Sequence, residues 1–147
     1  MPKASAPTAV RYILLIEDNP GDVQLLTEAF VCNHSLVAIH AVSTVREAVH
    51  WLRGEGPPVS RFPPALIVLD LILPGAPGMA ALVRLKATDA WRRIPVVVLS
   101  ASSREEDRSE STACGAAQFL SKPHCFAGYL QCAAELQRAM SSCSCWR

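Results

Sequence analysis

Five short apolar runs recur along the chain, and stretches with helical spacing separate nearly all of them. Residues 12–16 (Tyr-Ile-Leu-Leu-Ile), 65–69 (Ala-Leu-Ile-Val-Leu) and 95–99 (Pro-Val-Val-Val-Leu) are apolar runs with no charged side chain. A strand without polar alternation is one covered on both faces, which is the habit of parallel sheets. Two weaker runs, 36–42 and 116–120, complete the set. Between them, 21–32 places Val23, Leu26 and Phe30 on one helical face. Residues 44–53 form a second helix, with Ser43 or Thr44 as its N-cap and Gly54 after its end. A third helix is predicted over 77–88 from Met79, Leu82 and Val83, and a last over 127–140 from Leu130, Ala133 and Met140. The order βαβαβαβαβα, with right-handed crossovers, predicts an α/β fold. Its expected form is a flavodoxin-like doubly wound (βα)5 with a parallel sheet in strand order 2-1-3-4-5.

Two segments depart from this regularity. The connection at 54–64 is long, proline-rich and without helical period, so it reads as a loop. Residues 103–113 (Ser-Arg-Glu-Glu-Asp-Arg-Ser-Glu-Ser-Thr-Ala) have helical character but no large apolar residue to bury. Such a helix is expected to be marginal and mobile.

A length of 147 residues suits one domain. The expected organisation is a flexible tail at 1–10, one domain at 11–140 and a second tail at 141–147. Half the residues are apolar and 18% charged, which supplies a core and excludes intrinsic disorder. A formal net charge of +1 without a basic run predicts no nucleic-acid partner. The most apolar stretch, 65–83, is interrupted by Asp70, Pro74, Gly75 and Pro77, so no membrane span is expected. Residues 1–11 lack an apolar signal core, and a cytoplasmic location is the expectation. The six cysteines (Cys32, Cys114, Cys125, Cys132, Cys143 and Cys145) form no C-x-x-C pair and read as free thiols. His34, His40, His50 and His124 show no metal-ligand spacing.

In a doubly wound sheet, ligands bind beyond the carboxyl ends of the strands, near the switch between the first and third. The residues there are Glu17 and Asp18, Asp70, Ser100, and Ser121, Lys122 and Pro123. Singly, an acid after a strand is a solvated turn residue or cap, a serine a cap, and a lysine surface. Together they bring three carboxylates, a hydroxyl and an ammonium to one edge. Clustered carboxylates repel one another unless a cation binds, and hard oxygen ligands in a small open site suit Mg²⁺. Asp70 leaves the most buried strand and can act as a nucleophile towards phosphorus. Lys122 and Ser100 can then neutralise and hydrogen-bond the transferred group. The same acids would repel a flavin phosphate.

Four segments carry a family resemblance. They are Ile13-Leu-Leu-Ile-Glu-Asp-Asn-Pro-Gly-Asp22, Val68-Leu-Asp-Leu-Ile-Leu-Pro-Gly75, Val97-Val-Leu-Ser-Ala-Ser102 and Phe119-Leu-Ser-Lys-Pro123. They resemble the receiver domains of response regulators in bacterial two-component systems, the chemotaxis-regulator type, over roughly residues 11–140. The resemblance implies Asp70 as phosphoacceptor, with Asp18, Glu17, Asp70 and the backbone carbonyl of Ile72 around Mg²⁺. It implies Ser100 as the switch hydroxyl, Phe119 as the aromatic that follows it, Lys122 as the phosphate-binding lysine, and a cis bond before Pro123. The long loop and Trp91-Arg-Arg-Ile-Pro-Val-Val-Val-Leu-Ser100 are most similar to the small regulators associated with bacterial phytochrome histidine kinases.

A histidine kinase, of phytochrome type, is therefore the implied partner. A homodimer through the fourth helix, fifth strand and fifth helix is implied with it. Such a chain is a signalling switch that assists its own phosphoryl transfer, not a turnover enzyme. No output domain follows the pattern, so output is expected through protein contact, self-association or passing the phosphoryl group onward. The alternative is a pseudo-receiver that binds proteins without phosphorylation. A hydrolase using Asp70 lacks the second acid two residues on, where Ile72 stands. Pro77-Gly78 replaces the usual acid-Gly pair, and apolar Ile72 with small Ser102 predicts slow loss of phosphate.

Overall fold

The computed structural model describes residues 11–141. Its elements run β1 (Tyr12–Ile16), α1 (Pro20–Cys32), β2 (Ala38–Val42), α2 (Val45–Leu52), β3 (Leu66–Leu69), α3 (Gly78–Ala87), β4 (Val96–Ser100), α4 (Glu105–Ala113), β5 (Gln118–Ser121) and α5 (Phe126–Ser141). The five strands form one sheet in the order β2-β1-β3-β4-β5, with every neighbouring pair parallel. This is the expected flavodoxin-like arrangement. Strands β1, β3 and β4 are buried throughout, which is why their sequences show no alternation.

Successive side chains of a strand point to opposite faces, and the core divides accordingly. Tyr12, Leu14 and Ile16 pack with Ile67, Leu69, Val96 and Val98 against Trp51 of α2 and Leu82 and Leu85 of α3. Ile13 and Leu15 pack with Leu66, Val68 and Val97 against Leu26 and Phe30 of α1 and Leu136 and Met140 of α5. The sheet is thus held between two apolar layers, and each removes its share of surface from water.

Local chemistry sets the helix ends. Asn19 caps α1, its side chain accepting from the backbone N–H of Gly21 and Asp22. Thr44 caps α2 by accepting from Glu47 N–H, while the Glu47 carboxylate accepts from Ser43 N–H; the pairing is close to a capping box. Thr44, rather than Ser43, is therefore the cap.

Several expectations need correction. Val83 is 49% exposed, and the buried face of α3 is Gly78, Ala81, Leu82 and Leu85. The helical period was right, but its inward arc is centred one position away from Val83. In α5 the inward face is Tyr129, Cys132, Ala133, Leu136 and Met140, with Leu130 only partly buried. The 54–64 connection contains a 3₁₀ turn at Pro58–Arg61 with Ser60 buried, begun by Pro57 and Pro58, whose rings preset φ. Tyr12 donates its hydroxyl to the Phe62 carbonyl and accepts from Trp51 Nε1 at 3.0 Å, which fastens that loop to the sheet. No peptide bond is cis among the described residues, so the bond before Pro123 is trans, the lower-energy isomer. In this arrangement the Pro123 ring lies where a Cβ on Gly128 would stand 2.5 Å away, and only glycine permits the approach.

Cys32, Cys114, Cys125 and Cys132 are free thiols, and burial pushes Cys132 up to about 12. Ser141 closes α5. The tail expected at 1–10 lies outside the described residues, as does the tail expected at 141–147, with Cys143 and Cys145, apart from Ser141, which belongs to the helix. None of the described helices is long and apolar enough to cross a membrane.

Candidate functional site

The parallel register brings the ends of β1, β3 and β5 to one edge of the sheet. Glu17 N–H continues the ladder to the Val42 carbonyl at 2.9 Å, and Asp70 N–H donates to the Ile16 carbonyl at 3.1 Å. Both acids thus stand on backbone that is still part of the sheet, so their side chains are rigidly based. Lys122 N–H donates to the Ser100 carbonyl at 2.8 Å, which fixes the lysine's origin against β4.

These elements border an open cavity of about 500 Å³, lined by residues that include Glu17, Asp18, Asp22, Asp70, Lys122 and Tyr129. The Lys122 ammonium donates to Glu17 Oε1 at 2.9 Å, Asp22 Oδ2 at 2.8 Å and Asp70 Oδ2 at 2.9 Å. The other Asp70 oxygen accepts from Ile72 N–H at 3.0 Å. Glu17 is 5% and Asp70 4% exposed, whereas Asp18 is exposed.

One lysine cannot neutralise this many carboxylates. Burial, then the neighbouring Asp70, pushes the Glu17 carboxyl up to about 8, against the opposing pull of Lys122. Burial alone would lower the lysine, but its bonds to Asp22, Glu17 and Asp70 outweigh that and hold it above its ordinary value. Asp22 lies below its ordinary value: burial opposes ionisation there, and the Lys122 hydrogen bond and charge win. Tyr129, whose hydroxyl donates to Asp22 Oδ1 at 3.4 Å, is pushed up to about 12, first by burial and then by that carboxylate. A protein that buries such an excess of negative charge incurs a desolvation cost, and a further cation relieves it.

The donor set fits Mg²⁺. One oxygen from each of Glu17, Asp18 and Asp70 lies within 4.8 Å of the others, the hard-oxygen cluster such an ion takes. Lys122 already acts there as the counter-cation for two of the three.

Other expected residues are arranged differently. Ser100 is fully buried as the last residue of β4, paired with Ser121, and its hydroxyl accepts from Ser102 N–H at 3.3 Å. Ser100 and Phe119 do not line the cavity; Ile72 lines it and is 63% exposed. Phe119 is 5% exposed, packed in the core beneath Arg108. Asp22 and Tyr129 were not foreseen. Asp22 follows Asp18 by four residues, one turn on at the start of α1, a spacing that returns a side chain to the same end. Nothing local marks Tyr129, since its polar tip meets Asp22 across 107 residues.

Known proteins share this architecture. Response regulator Rcp1 from Synechocystis is 34% identical over 100 residues, 66% of each chain. The structure of the phosphorylated cyanobacterial phytochrome response regulator RcpA superposes with a TM-score of 0.80 at 32% identity, covering 90% of this chain and 94% of that one. The Mn²⁺-bound form of Rcp1 superposes with a TM-score of 0.75 at 28% identity, covering 86% and 91%. The profile of the response regulator receiver domain matches residues 13–130, and with the acid cluster, the lysine and the strand order in place, this chain belongs to that family of two-component signalling domains.

Proposed function

We propose that this chain is a cytoplasmic response regulator that accepts a phosphoryl group on Asp70 from a histidine kinase of phytochrome type and signals by protein contact. One observation carries the reading. The buried Asp70 carboxylate, anchored on β3 by Ile72 N–H, lies 2.9 Å from Lys122 and inside a cluster of acids able to hold Mg²⁺. An Asp70 oxygen attacks phosphorus, a P–O bond forms, and the P–N bond to the donor histidine breaks. Lys122 stays beside the equatorial oxygens and offsets their charge. Glu17, Asp18, Asp70 and the Ile72 carbonyl would hold Mg²⁺, which when bound neutralises phosphoryl charge. Similarity to the cyanobacterial phytochrome response regulator RcpA supports the choice of kinase.

The switch elements of this reading are Ser100 and Phe119. The Ser100 hydroxyl turns from Ser102 N–H towards the phosphoryl group. Phe119 responds and alters the surface of α4, β5 and α5, through which a homodimer forms. The protein assists its own phosphoryl transfer and slow hydrolysis without turning over a separate substrate.

Incubation with acetyl phosphate, with and without Mg²⁺, followed by intact mass, tests the chemistry. A Mg²⁺-dependent phosphoryl adduct, absent in Asp70→Asn, is expected. No adduct and no Mg²⁺ binding would leave a phosphorylation-independent binding module. Transfer from a phosphorylated phytochrome-type kinase, and light scattering before and after, test the partner and the dimer.

A further inference from the structure

A lysine ammonium has three N–H bonds to give, and Lys122 gives all three to carboxylates: Glu17, Asp70 and Asp22. Glu17 and Asp70 belong with Asp18 to the converging triad. Asp22 does not. It sits in the first turn of α1, outside that triad, and no role in the phosphoryl chemistry accounts for it.

Asp22 is itself held from several sides. Its backbone N–H donates to Asn19 Oδ1 at 3.2 Å, and its Oδ1 accepts from the Tyr129 hydroxyl of α5 at 3.4 Å. The start of a helix favours a negative charge. The aspartate therefore belongs to the scaffold, with its second oxygen aimed at the ammonium.

A divalent cation entering the triad meets two obstacles. The lysine charge repels it, and the lysine competes with it for Glu17 and Asp70. A fixed anion outside the triad reduces both, because it offsets the ammonium charge and gives the lysine a partner that the cation does not take. We propose that Asp22 is a positioning residue for Lys122, the counter-ion that keeps the ammonium beside Asp70 while Glu17 and Asp70 turn to the metal. This rests on the phosphoacceptor reading of the same site.

The test is Mg²⁺ affinity, read by calorimetry and by backbone amide shifts, for the wild type, Asp22→Asn, Lys122→Met and the double variant. Asp22→Asn is expected to weaken Mg²⁺ binding about fivefold when Lys122 is present. With Lys122→Met the same substitution changes affinity by less than about twofold, since the positioned group is gone. Asp22→Glu restores most of the loss, and circular dichroism verifies folding; Asp22→Ser replaces Asp22→Asn if the latter does not fold. Unchanged affinity in Asp22→Asn overturns the proposal while the phosphoacceptor reading stands. So does an equal loss in the Lys122→Met background, which would mean that Asp22 acts on the metal through its field alone. A wild type that binds no Mg²⁺ overturns both.

Discussion

The Arg108 guanidinium lies over the Phe119 ring, 4.9 Å from its centroid, and also donates to the Phe119 carbonyl at 3.4 Å. These contacts tie α4 to β5, and α4 has few others, with only Ser111 buried. A cation over an aromatic face at a half-exposed site contributes about 0.5–1 kcal/mol. Arg108→Ala is therefore expected to speed amide exchange in α4 while leaving α3 unchanged, and α4 is expected to exchange faster than α3 even in the wild type. Equal protection of the two helices in the wild type would show that α4 is held by something else.

The backbone around Asp70 leaves no room at Gly78. A Cβ there would stand 2.4 Å from Leu71 Cα and 2.6 Å from the Asp70 carbonyl oxygen, and backbone atoms cannot swing aside as a flexible side chain can. Gly78→Ala should lower stability by about 2 kcal/mol or more, and Mg²⁺ binding with it, as the loop carrying Ile72 shifts. Urea denaturation gives the first quantity. An unchanged midpoint would mean that the loop relaxes freely.

His40 stacks on Trp51, with ring centroids 3.5 Å apart and planes 19° from parallel. Burial holds its imidazole below the ordinary value of 6.5. The unfolded chain therefore takes up a proton there before the folded one does. The neutral ring's contribution to stability is present above 6.5 and is lost as pH falls through the depressed folded value. Denaturation at a series of pH values from neutral downward should show this loss, and His40→Phe should flatten that part of the profile. A variant with the wild-type slope would assign the dependence to other groups.

Hydrolysis of the aspartyl phosphate needs a water held in line with phosphorus. Ile72 borders the cavity with an apolar side chain, and the Ser102 hydroxyl donates to Asp107 on α4. Neither offers a carboxylate or amide to orient that water. The adduct should persist for on the order of minutes or longer, and Ile72→Asn should shorten its life. Decay of the intact-mass adduct after removal of the donor measures it; a lifetime of seconds in the wild type would refute the argument.

Much of this was legible in the chain itself. The runs at β1, β3 and β4 lack charged residues and polar alternation because both their faces leave water, and that dictates a covered parallel sheet. Asn19 and Thr44 declare helix starts through chemistry local to each. Glu17, Asp18, Asp70 and Lys122 stand at strand ends, where a doubly wound sheet gathers its ligands. Period alone did not orient α3, since Met79, Leu82 and Val83 define a stripe but the sheet selects Ala81, Leu82 and Leu85.

Tertiary structure decided the rest. The ammonium of Lys122 meets acids 105, 100 and 52 residues away. Asp22 joins that group, and Ser100 is withdrawn from the cavity. Arg108 covers Phe119 from a helix whose sequence shows no inward face. Apolar patterning records which side chains leave water. Which charged groups then become neighbours depends on strand register and helix placement, and local sequence carries neither.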